Sequence, residues 1–328
     1  MTNHWRSAPV LRRVVTASAV ALLAATAATL GARLHWFLDL FSNFRWQYVV
    51  GAAATIPLAW LCGRRALAIA CVAALALHLY ALAHQRFAAL DAARDGSRPL
   101  RIVSINVQYR NNHYAALIDY VQRLSPDVVC LYETTAEWQR QLAPLSSLYA
   151  FSLFTGDGPH SGIACMSRIV PLSVVPPSAD SELAPWMRLE LQSRGVRFTV
   201  IAAHLYHPIS PTPAAARNRQ IASLARELRA LKGAVALVGD FNLTPYSPHN
   251  ADLLAGSRLR DCGRGRPLAP TWPTWFAPLW IEIDRCFVTP AIRVASYQVG
   301  PAIGSDHYPV VVDFRVSATE LWTQPSGQ

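Results

Sequence analysis

Three long apolar runs in the first quarter of the chain constrain its fold more than any other feature. The first run spans residues 14–34, and the second and third span residues 48–62 and 66–83. At about 1.5 Å of rise per residue, a helix as long as the first run crosses the ~30 Å hydrocarbon core of a bilayer. We therefore predict an all-α transmembrane region at residues 14–84 with about three helices, preceded by a basic N-terminus at residues 1–13.

The basic residues around these runs predict an orientation. A cleaved signal peptide is the alternative interpretation of the first run, but the two further apolar runs favour retention in the membrane. More arginines lie on one side of three predicted helices, and the positive-inside rule assigns that side to the cytoplasm. We therefore predict a multi-pass protein of the inner (cytoplasmic) membrane, with the chain after residue 83 on the periplasmic or extracytoplasmic side. The arginines on the predicted inner side are Arg6, Arg12, Arg13, Arg64 and Arg65.

Charge and cysteine content exclude some classes of site. The chain has 30 basic and 20 acidic residues, yet it contains no Lys/Arg-rich tract of the kind that marks a nucleic-acid-binding arm. A mildly basic domain after residue 96 tolerates a phosphate-bearing substrate without requiring one. The six cysteines form no CxxC pair, so a zinc site is not expected. Cys262 and Cys286 could pair as a disulfide if this domain lies outside the cytoplasm.

Strand and helix patterns alternate after a linker at residues 85–97. The stretches LRIVSINV, PDVVCLYE, RFTVIAAH and HYPVVVDF have the apolar content of buried strands. A periodic apolar face predicts a helix at residues 114–124. We therefore predict one large domain at residues 98–316, followed by a flexible tail at residues 317–328.

Several predicted strands of this domain end on polar side chains. In VALVGDFNLTPYSP an apolar run ends at Asp240, and Asn242 follows two residues later. Strand alternation would put these two groups on one side and turn Phe241 into the core. A simple turn is the alternative interpretation, because Asp and Asn often bond nearby backbone in turns. Other polar residues in similar strand-associated positions are Asn106, Glu133, His204, Asp284, Asp306 and His307.

This recurrence favours a metal site over a series of turns. Carboxylates on apolar strands are costly to bury unless they are paired or bound to a metal. Asp, Glu and Asn oxygens with neighbouring histidines suit Mg²⁺, with Mn²⁺ as the alternative ion. Mg²⁺ is usually held by one or two carboxylates together with substrate phosphate oxygens. The sequence therefore predicts a Mg²⁺ cofactor and a phosphate-ester substrate.

These segments resemble the endonuclease/exonuclease/phosphatase superfamily, the DNase I-like proteins. The resemblance rests on GDFN and SDH in that order after a strand-ending Glu, and it covers residues 98–314. The apolar region, with SGIACMSR and TWPTW, also resembles the membrane-anchored YafD-like branch. The resemblance implies an α+β fold for the domain: a four-layer α/β/β/α sandwich of two packed mixed β-sheets, preceded by the all-α transmembrane region.

The resemblance also implies roles for five of the polar residues. Glu133 would bind the metal, with Asn106 and Asp306 as further ligands near it. Asp240 would orient and deprotonate the attacking water. Asn242 would bond the phosphate oxygens.

Three further residues are implied in catalysis, and two in substrate contacts. His307 would stabilise developing charge while Asp284 fixes its tautomer. His204 would act on the leaving oxygen as a general acid. Arg168 and Trp272 are candidate substrate contacts; an exposed strand-end arginine and an aromatic loop packed on the sheet edge are the alternative interpretations.

The leading functional hypothesis is a membrane-anchored, Mg²⁺-dependent phosphoesterase, either a phosphodiesterase or a phosphatase. Water activated by the metal and an Asp would attack the phosphate ester directly. Tethering to a bilayer favours a phospholipid or lipid-linked phosphate as substrate. An extracytoplasmic endonuclease acting on DNA or RNA is one alternative, and a non-catalytic membrane binding protein is the other. The expected partners are thus the substrate and the bilayer, with no obligate protein partner evident.

Overall fold

The chain divides into two compact units in a computed structural model. One unit contains the N-terminal helices and the segment Thr244–Pro248, and the other contains the remaining described residues. Most of the predicted linker at residues 85–97, and the whole predicted tail at residues 317–328, lie outside the described residues. The structure describes residues 9–86, 98–158, 162–178 and 185–316.

The first unit is helical. Its helices are α1 (Pro9–Leu30), α2 (Trp36–Ser42), α3 (Arg45–Leu61) and α4 (Arg65–Arg86). Among the described residues, α1 and residues Arg65–Gln85 of α4 are long and apolar enough to cross a membrane. Helix α3 has 17 residues and contains Pro57. The three apolar runs thus correspond to α1, α3 and α4, and α2 is a short helix in the segment between the first two runs.

Small residues line the contacts between these helices, whereas large apolar residues face outwards. Ala19, Ala52 and Cys71 are fully buried in one cluster, and Ala59 and Ala68 are buried in another. Small side chains let helix backbones approach closely, as they do in membrane helix bundles. Exposed apolar faces of this kind are typical of surfaces that meet lipid. The exposed large apolar residues of these helices include Val10, Val14, Val20, Ile69 and Val72.

The second unit contains two six-stranded sheets. Sheet A has the strand order β11-β12-β1-β2-β4-β3, and sheet B has the order β5-β6-β7-β8-β10-β9. Strands β1 and β2 pair in parallel, as do β7 and β8, whereas the other pairs are antiparallel. Both sheets are therefore mixed. The strands are β1 (Leu100–Asn106), β2 (Val128–Tyr132), β3 (Phe151–Thr155), β4 (Ile163–Ser167), β5 (Ser173–Val175), β6 (Trp186–Ser193), β7 (Val196–His204), β8 (Val235–Asp240), β9 (Arg260–Asp261), β10 (Asp284–Val288), β11 (Ile292–Val299) and β12 (Val310–Val316).

The two sheets pack face to face around a common apolar core. Ile102 and Cys130 of sheet A share one buried cluster with Val200 and Val238 of sheet B. These strands are rich in Val and Ile, whose branched side chains fit a pleated, buried surface. The strands buried on both faces therefore read as continuous apolar runs in the sequence.

Helices cover the outer face of each sheet. Sheet A is covered by α5 (Tyr114–Leu124) and α6 (Ala136–Gln141), and sheet B by α7 (Pro211–Ala230) and α8 (Pro248–Leu254). Leu117 of α5 packs in the cluster that holds Val129, and Leu224 of α7 in the cluster that holds Leu237. Burying one such side chain contributes about 1.5–3 kcal/mol relative to an exposed one. The predicted four-layer α/β/β/α sandwich is confirmed.

A disulfide joins two elements at the edge of sheet B. Cys262 and Cys286 are bonded, with their Cα atoms 5.3 Å apart. Cys286 lies on β10, and Cys262 directly follows β9, which pairs with β10. The pairing that the sequence left open is therefore present. Such bonds persist in oxidising compartments.

Candidate active site

Three of the predicted site residues lie side by side on neighbouring strands of sheet B, at the same end of those strands. His204 ends β7, Asp240 ends β8 and Asp284 begins β10. In the sheet register His204 is the partner of Asp240, and Asp240 is the partner of Asp284. Side chains at paired positions of neighbouring strands point to the same face. The strand register alone therefore brings these three groups together.

A glycine lets β8 approach β7 closely just before Asp240. A Cβ atom at residue 239 would lie 1.9 Å from the carbonyl oxygen of Ala203 on β7. Real Cβ atoms do not come that close to backbone oxygen, so only glycine fits there without moving a strand. The glycine of GDFN thus has a steric role in presenting the aspartate.

Sheet A contributes the opposite wall of the site. Asn106 ends β1, and Glu133 directly follows β2. The Asn106 side chain is fully buried, and its Nδ2 donates hydrogen bonds to Glu133 Oε1 and to Asp240 Oδ2, both at 3.0 Å. Asn106 Oδ1 accepts a hydrogen bond from the backbone N–H of Gln108 at 2.9 Å. The Asn106 carboxamide therefore links the polar strand ends of the two sheets.

Glu133 reaches the site through an unusual backbone conformation. Its φ is 60°, in the left-handed region that residues other than glycine seldom adopt. Such residues cluster at functional sites, where the surrounding fold offsets the strain. Burial raises the pKa of Glu133, while hydrogen bonds from Asn106 and from the backbone N–H of Tyr109 act in the opposite direction. The fold thus places a strained, partly buried carboxylate beside Asn106.

His307 and Asp284 form a buried pair. His307 Nδ1 lies 2.8 Å from Asp284 Oδ2, and His307 Nε2 lies 3.8 Å from Asp240 Oδ2. Burial by itself lowers the pKa of His307, but the charges of Asp284 and Asp240 and the hydrogen bond to Asp284 outweigh it and raise the pKa to about 10. Burial, with the nearby Asp284 charge, raises the pKa of Asp240 to about 7. The site thus keeps an imidazolium beside a carboxyl group that titrates near neutral pH.

Asp306 lies at the mouth of the same cluster. Its Oδ2 accepts a hydrogen bond from Trp272 Nε1 at 3.1 Å, and its Oδ1 lies 4.0 Å from His307 Nε2. Trp272, predicted as a substrate contact, therefore orients a carboxylate of the site. His204 is buried on the other side, with its Nε2 3.7 Å from Asp240 Oδ2 and 3.9 Å from Glu133 Oε1.

Asn242 is placed by local backbone geometry and not by strand alternation. Strand β8 ends at Asp240, and Asn242 has a φ of 50°. Its backbone N–H donates to Asp240 Oδ1 at 3.0 Å, and its Nδ2 donates to the carbonyl oxygen of Leu205 at 2.8 Å. The alternation argument therefore does not reach Asn242, although Phe241 between the two is fully buried, as expected.

The structure does not bring Arg168 to this cluster. Arg168 follows β4, which runs antiparallel to β2 and pairs Ser167 with Val128. Its Nε donates to the carbonyl oxygen of Pro126, just before β2 begins, at 3.0 Å. Glu133 follows the other end of β2. The short motif around Arg168 gave no information about strand direction, which decides this placement.

Two residues that bond the backbone of site residues were not predicted from the sequence. Thr271 Oγ1 accepts a hydrogen bond from the backbone N–H of Asp284 at 3.0 Å. Ser305 Oγ donates to the backbone carbonyl of Asn106 at 2.7 Å, and it accepts from the backbone N–H of His307 at 3.1 Å. Ser305 begins the SDH motif and Thr271 begins TWPTW, so both residues lie in quoted motifs, but neither motif indicates a contact with Asp284 or Asn106.

The donor set of the cluster suits a hard divalent cation. Within the described part of the chain, Asp284 Oδ1 and Asp306 Oδ1 are buried and have no hydrogen-bond partner. Asp240, Asp284 and His307 could each offer a ligand atom, and these atoms lie within 4.8 Å of one another. Converging carboxylates with unsatisfied oxygens are costly unless a cation offsets their charge. The residues present therefore fit a bound divalent metal.

The sequence profile of the Endonuclease/Exonuclease/phosphatase family matches residues 103–307, which is more than half of the chain and includes the cluster described above. The chain belongs to this family. A search of curated proteins gave no match. Proteins of the family generally depend on a divalent metal, and membership makes this protein a phosphoester hydrolase.

Solved structures show the same fold. TDP2 of D. rerio complexed with a single-strand DNA product is 17% identical, with a TM-score of 0.57 over 67% of this chain and 100% of that chain. A humanized D. rerio TDP2 has a TM-score of 0.56 at the same identity and the same coverage of both chains. An endonuclease/exonuclease/phosphatase from Beutenbergia cavernae is 22% identical, with a TM-score of 0.53 over 67% of this chain and 72% of that chain. At these identities the likeness concerns the fold alone.

Proposed function

We propose that this protein is a membrane-anchored, Mg²⁺-dependent phosphodiesterase that hydrolyses a lipid-linked phosphate ester by direct attack of water. One observation carries the catalytic part of the proposal. Asp240 shares a buried corner with Asn106 and with the His307–Asp284 pair. A base, a cationic hydrogen-bond donor and a carboxamide thus converge, which is the arrangement that hydrolysis of a phosphate ester needs.

Glu133, Asn106 and Asp306 are the residues that would hold the cation. We prefer them to the group of Asp240, Asp284 and His307, because Asp284 keeps His307 protonated and an imidazolium has no lone pair for a metal. When bound, the cation would neutralise charge on the phosphate and polarise it. Mg²⁺ is the preferred ion because the candidate ligands are oxygens.

The remaining side chains would move protons and stabilise charge. Asp240 would accept the proton of the attacking water, and a pKa of about 7 suits a base that works near neutral pH. His307, kept protonated by Asp284, would donate to a nonbridging oxygen as negative charge develops there. Asn242 would add a carboxamide donor, and His204 would deliver a proton to the leaving oxygen.

The helical unit supports a membrane location. Two of its helices have the length and composition of membrane spans, and their large apolar side chains face outwards. The Cys262–Cys286 disulfide supports an extracytoplasmic sandwich, because such bonds are rare in reducing compartments. A C-terminal alkaline phosphatase fusion should therefore be active, and an inactive one would place the sandwich in the cytoplasm.

Tethering raises the local concentration of any bilayer substrate, which favours a phospholipid or a lipid-linked phosphate. Hydrolysis of DNA or RNA outside the cytoplasm is the second candidate, since one structural neighbour was solved with a DNA product. A non-catalytic binding role is disfavoured, because the cluster retains a base, a paired imidazole and a metal-binding set. No obligate protein partner is proposed.

A substrate screen on the full chain in lipid nanodiscs tests this proposal. The panel should contain phospholipids, an isoprenoid phosphate, inositol phosphates, plasmid DNA, RNA, a generic phosphodiester and a generic phosphomonoester, each with Mg²⁺. We expect the highest kcat/KM for a lipid phosphodiester. Faster hydrolysis of nucleic acid would replace the lipid assignment, and no hydrolysis of any ester would refute the catalytic one.

A further inference from the structure

The chain that leaves the GDFN motif enters the helical unit almost at once. The segment Thr244–Pro248 groups with the N-terminal helices and not with the sandwich. Thr244 is the second residue after Asn242. Two residues of extended chain span at most about 7 Å, so a shift of Thr244 is passed to Asn242 through two peptide units.

Polar side chains at the C-terminal half of α2 hold this segment. Asn43, which follows α2, accepts hydrogen bonds at its Oδ1 from the backbone N–H of Thr244 at 3.3 Å and from Thr244 Oγ1 at 2.9 Å. Asp39 Oδ1 accepts a hydrogen bond from Ser247 Oγ at 2.8 Å. Ser42 Oγ donates to the same Asp39 oxygen at 3.1 Å. The segment is therefore held at Thr244 and again at Ser247.

These contacts are buried. The exposed fractions are 1% for Asp39, 9% for Asn43, 1% for Thr244 and 3% for Ser247. A buried polar group that loses its partner keeps the cost of its desolvation, so such contacts resist opening. A carboxylate and a carboxamide also contribute nothing to anchoring a helix in lipid, where polar side chains are expensive and usually functional.

Asn242 is constrained on its other side by the sandwich. Its Nδ2 donates to the carbonyl oxygen of Leu205 at 2.8 Å, and its backbone N–H donates to Asp240 Oδ1 at 3.0 Å. Its left-handed backbone, with a φ of 50°, is a conformation that neighbouring contacts must maintain. Asn242 therefore lies between two sets of contacts, one to the sandwich and one through Thr244 to α2.

We propose that Asp39 and Asn43 are positioning residues for Asn242, so that the anchoring helices take part in catalysis and do more than tether the enzyme. The two side chains form a clamp, defined here as the contacts of Asp39 and Asn43 with Thr244 and Ser247. The clamp sets the orientation in which the Asn242 carboxamide meets the phosphate. This inference rests on the proposed function for its effect on turnover, but not for its effect on the segment itself.

Matched variants of the full chain in nanodiscs test the clamp. Asn43→Leu removes the acceptor, whereas Asn43→Asp keeps an acceptor oxygen in its place and should stay closer to the wild type than Asn43→Leu does. Ser247→Ala removes the second contact from the side of the segment. Thr26→Val is the control for general weakening of the helical unit, because Thr26 bonds His78 at 3.0 Å inside that unit and not the segment.

Hydrogen exchange at the backbone amides of Asn242 and Thr244 gives a readout that needs no substrate. In Asn43→Leu we expect both amides to exchange about 10-fold faster, which is the factor that one lost hydrogen bond can supply. In Ser247→Ala we expect a smaller increase at the same amides. Asn43→Asp should exchange more slowly than Asn43→Leu at both amides, and Thr26→Val should keep the wild-type rates.

Turnover gives the second readout. A misplacement of about 1 Å can cost ~10²-fold in rate, so we expect Asn43→Leu to lower kcat on the order of 10-fold, with KM within a factor of about two. Thr26→Val should leave kcat unchanged even if its Tm falls equally.

The outcomes separate the two proposals. Unchanged exchange at the Asn242 amide in Asn43→Leu would overturn the positioning role, even if Thr244 exchanged faster. Equal loss of kcat in Thr26→Val would reduce the clamp to a general stability effect and overturn it too. A wild-type protein that hydrolyses no ester would refute the proposed function, while the exchange data alone would still decide whether the clamp orders Asn242.

Discussion

The two sheets supply the two walls of the site by different means. On sheet B, His204, Asp240 and Asp284 occupy paired positions on three neighbouring strands. On sheet A, Glu133 follows β2 with a φ of 60° and is held by Asn106 and by a backbone N–H. Register places the residues of sheet B without strain, whereas local backbone geometry places Glu133.

The two walls therefore have different proposed roles, with the catalytic base on sheet B and the principal metal ligand on sheet A. The wall of sheet B carries the proposed base and the Asp284 carboxylate that pairs with His307, groups whose mutual spacing decides proton transfer. The wall of sheet A carries the principal proposed metal ligand, for which the direction of a carboxylate matters most. Substitutions on the two walls should therefore have different effects: those on sheet B should lower turnover, and those on sheet A should weaken ion binding.

Replacing the proposed base should have the largest effect. Asp240→Asn keeps the shape of the side chain but cannot accept the proton of water, so kcat should fall by at least ~10²-fold while the protein stays folded. Asp119→Asn, at an exposed carboxylate of α5 that pairs with Arg123, is the matched control and should leave kcat unchanged. A less stable but fully active Asp240→Asn would favour the simple turn and end the catalytic interpretation of GDFN.

Removing the proposed metal ligand on sheet A should weaken ion binding. Few protein groups hold Mg²⁺, so Glu133→Ala should lower its affinity by at least ~10-fold. Titration calorimetry on the full chain measures this directly. Glu137→Ala, at an exposed glutamate four residues further on, is the control. Equal Mg²⁺ affinity in the Glu133 and Glu137 variants would remove Glu133 from the ligand set.

The Asp284–His307 pair predicts a shift in pH dependence. The charge of Asp284 helps to raise the pKa of His307, so Asp284→Asn should lower that pKa and His307 should lose its proton at a lower pH. The alkaline limb of kcat/KM should therefore move to lower pH by ~1 unit or more. An alkaline limb at its wild-type position would show that imidazolium His307 does not govern the rate.

The difference in stability between a glycine variant and an alanine variant should have opposite signs at Glu133 and at Asp240. At Glu133, where φ is positive, Glu133→Gly should be more stable than Glu133→Ala by about 1 kcal/mol, because alanine resists the left-handed region. At Asp240, inside β8, Asp240→Ala should be the more stable variant by about 0.5–1 kcal/mol, because glycine weakens strands. Thermal unfolding of the four proteins measures both differences. The same sign at both positions would contradict the claim that backbone strain distinguishes Glu133 from Asp240.

The sequence predicted sheet B better than it predicted the loops. Apolar runs ending on His204 and Asp240 located those residues at strand ends, because burial on both faces leaves a continuous apolar pattern. Asn242 was predicted on the strand, yet β8 ends two residues earlier, at Asp240, and Asn242 has a left-handed backbone. Local pattern carries no signal for that conformation, since an Asn after an Asp fits both a strand and a turn.

Contacts between distant segments could not be predicted from the sequence pattern. Arg168 was a candidate phosphate contact, with an exposed strand-end arginine as the alternative, and strand direction puts it at the other end of β2 from Glu133. The bond from Trp272 to Asp306 and the contacts of Asp39 and Asn43 join residues far apart in the chain. In the apolar segment around α2, Asp39 was a usable signal, because a carboxylate there is costly without a partner.

Removal of the metal tests whether both walls of the site act on one phosphate ester around a divalent cation held by Glu133. Hydrolysis by the full chain in nanodiscs should stop when EDTA removes the ion, and it should return when excess Mg²⁺ or Mn²⁺ is added. Full hydrolysis in the presence of the chelator would show that the reaction needs no such cation.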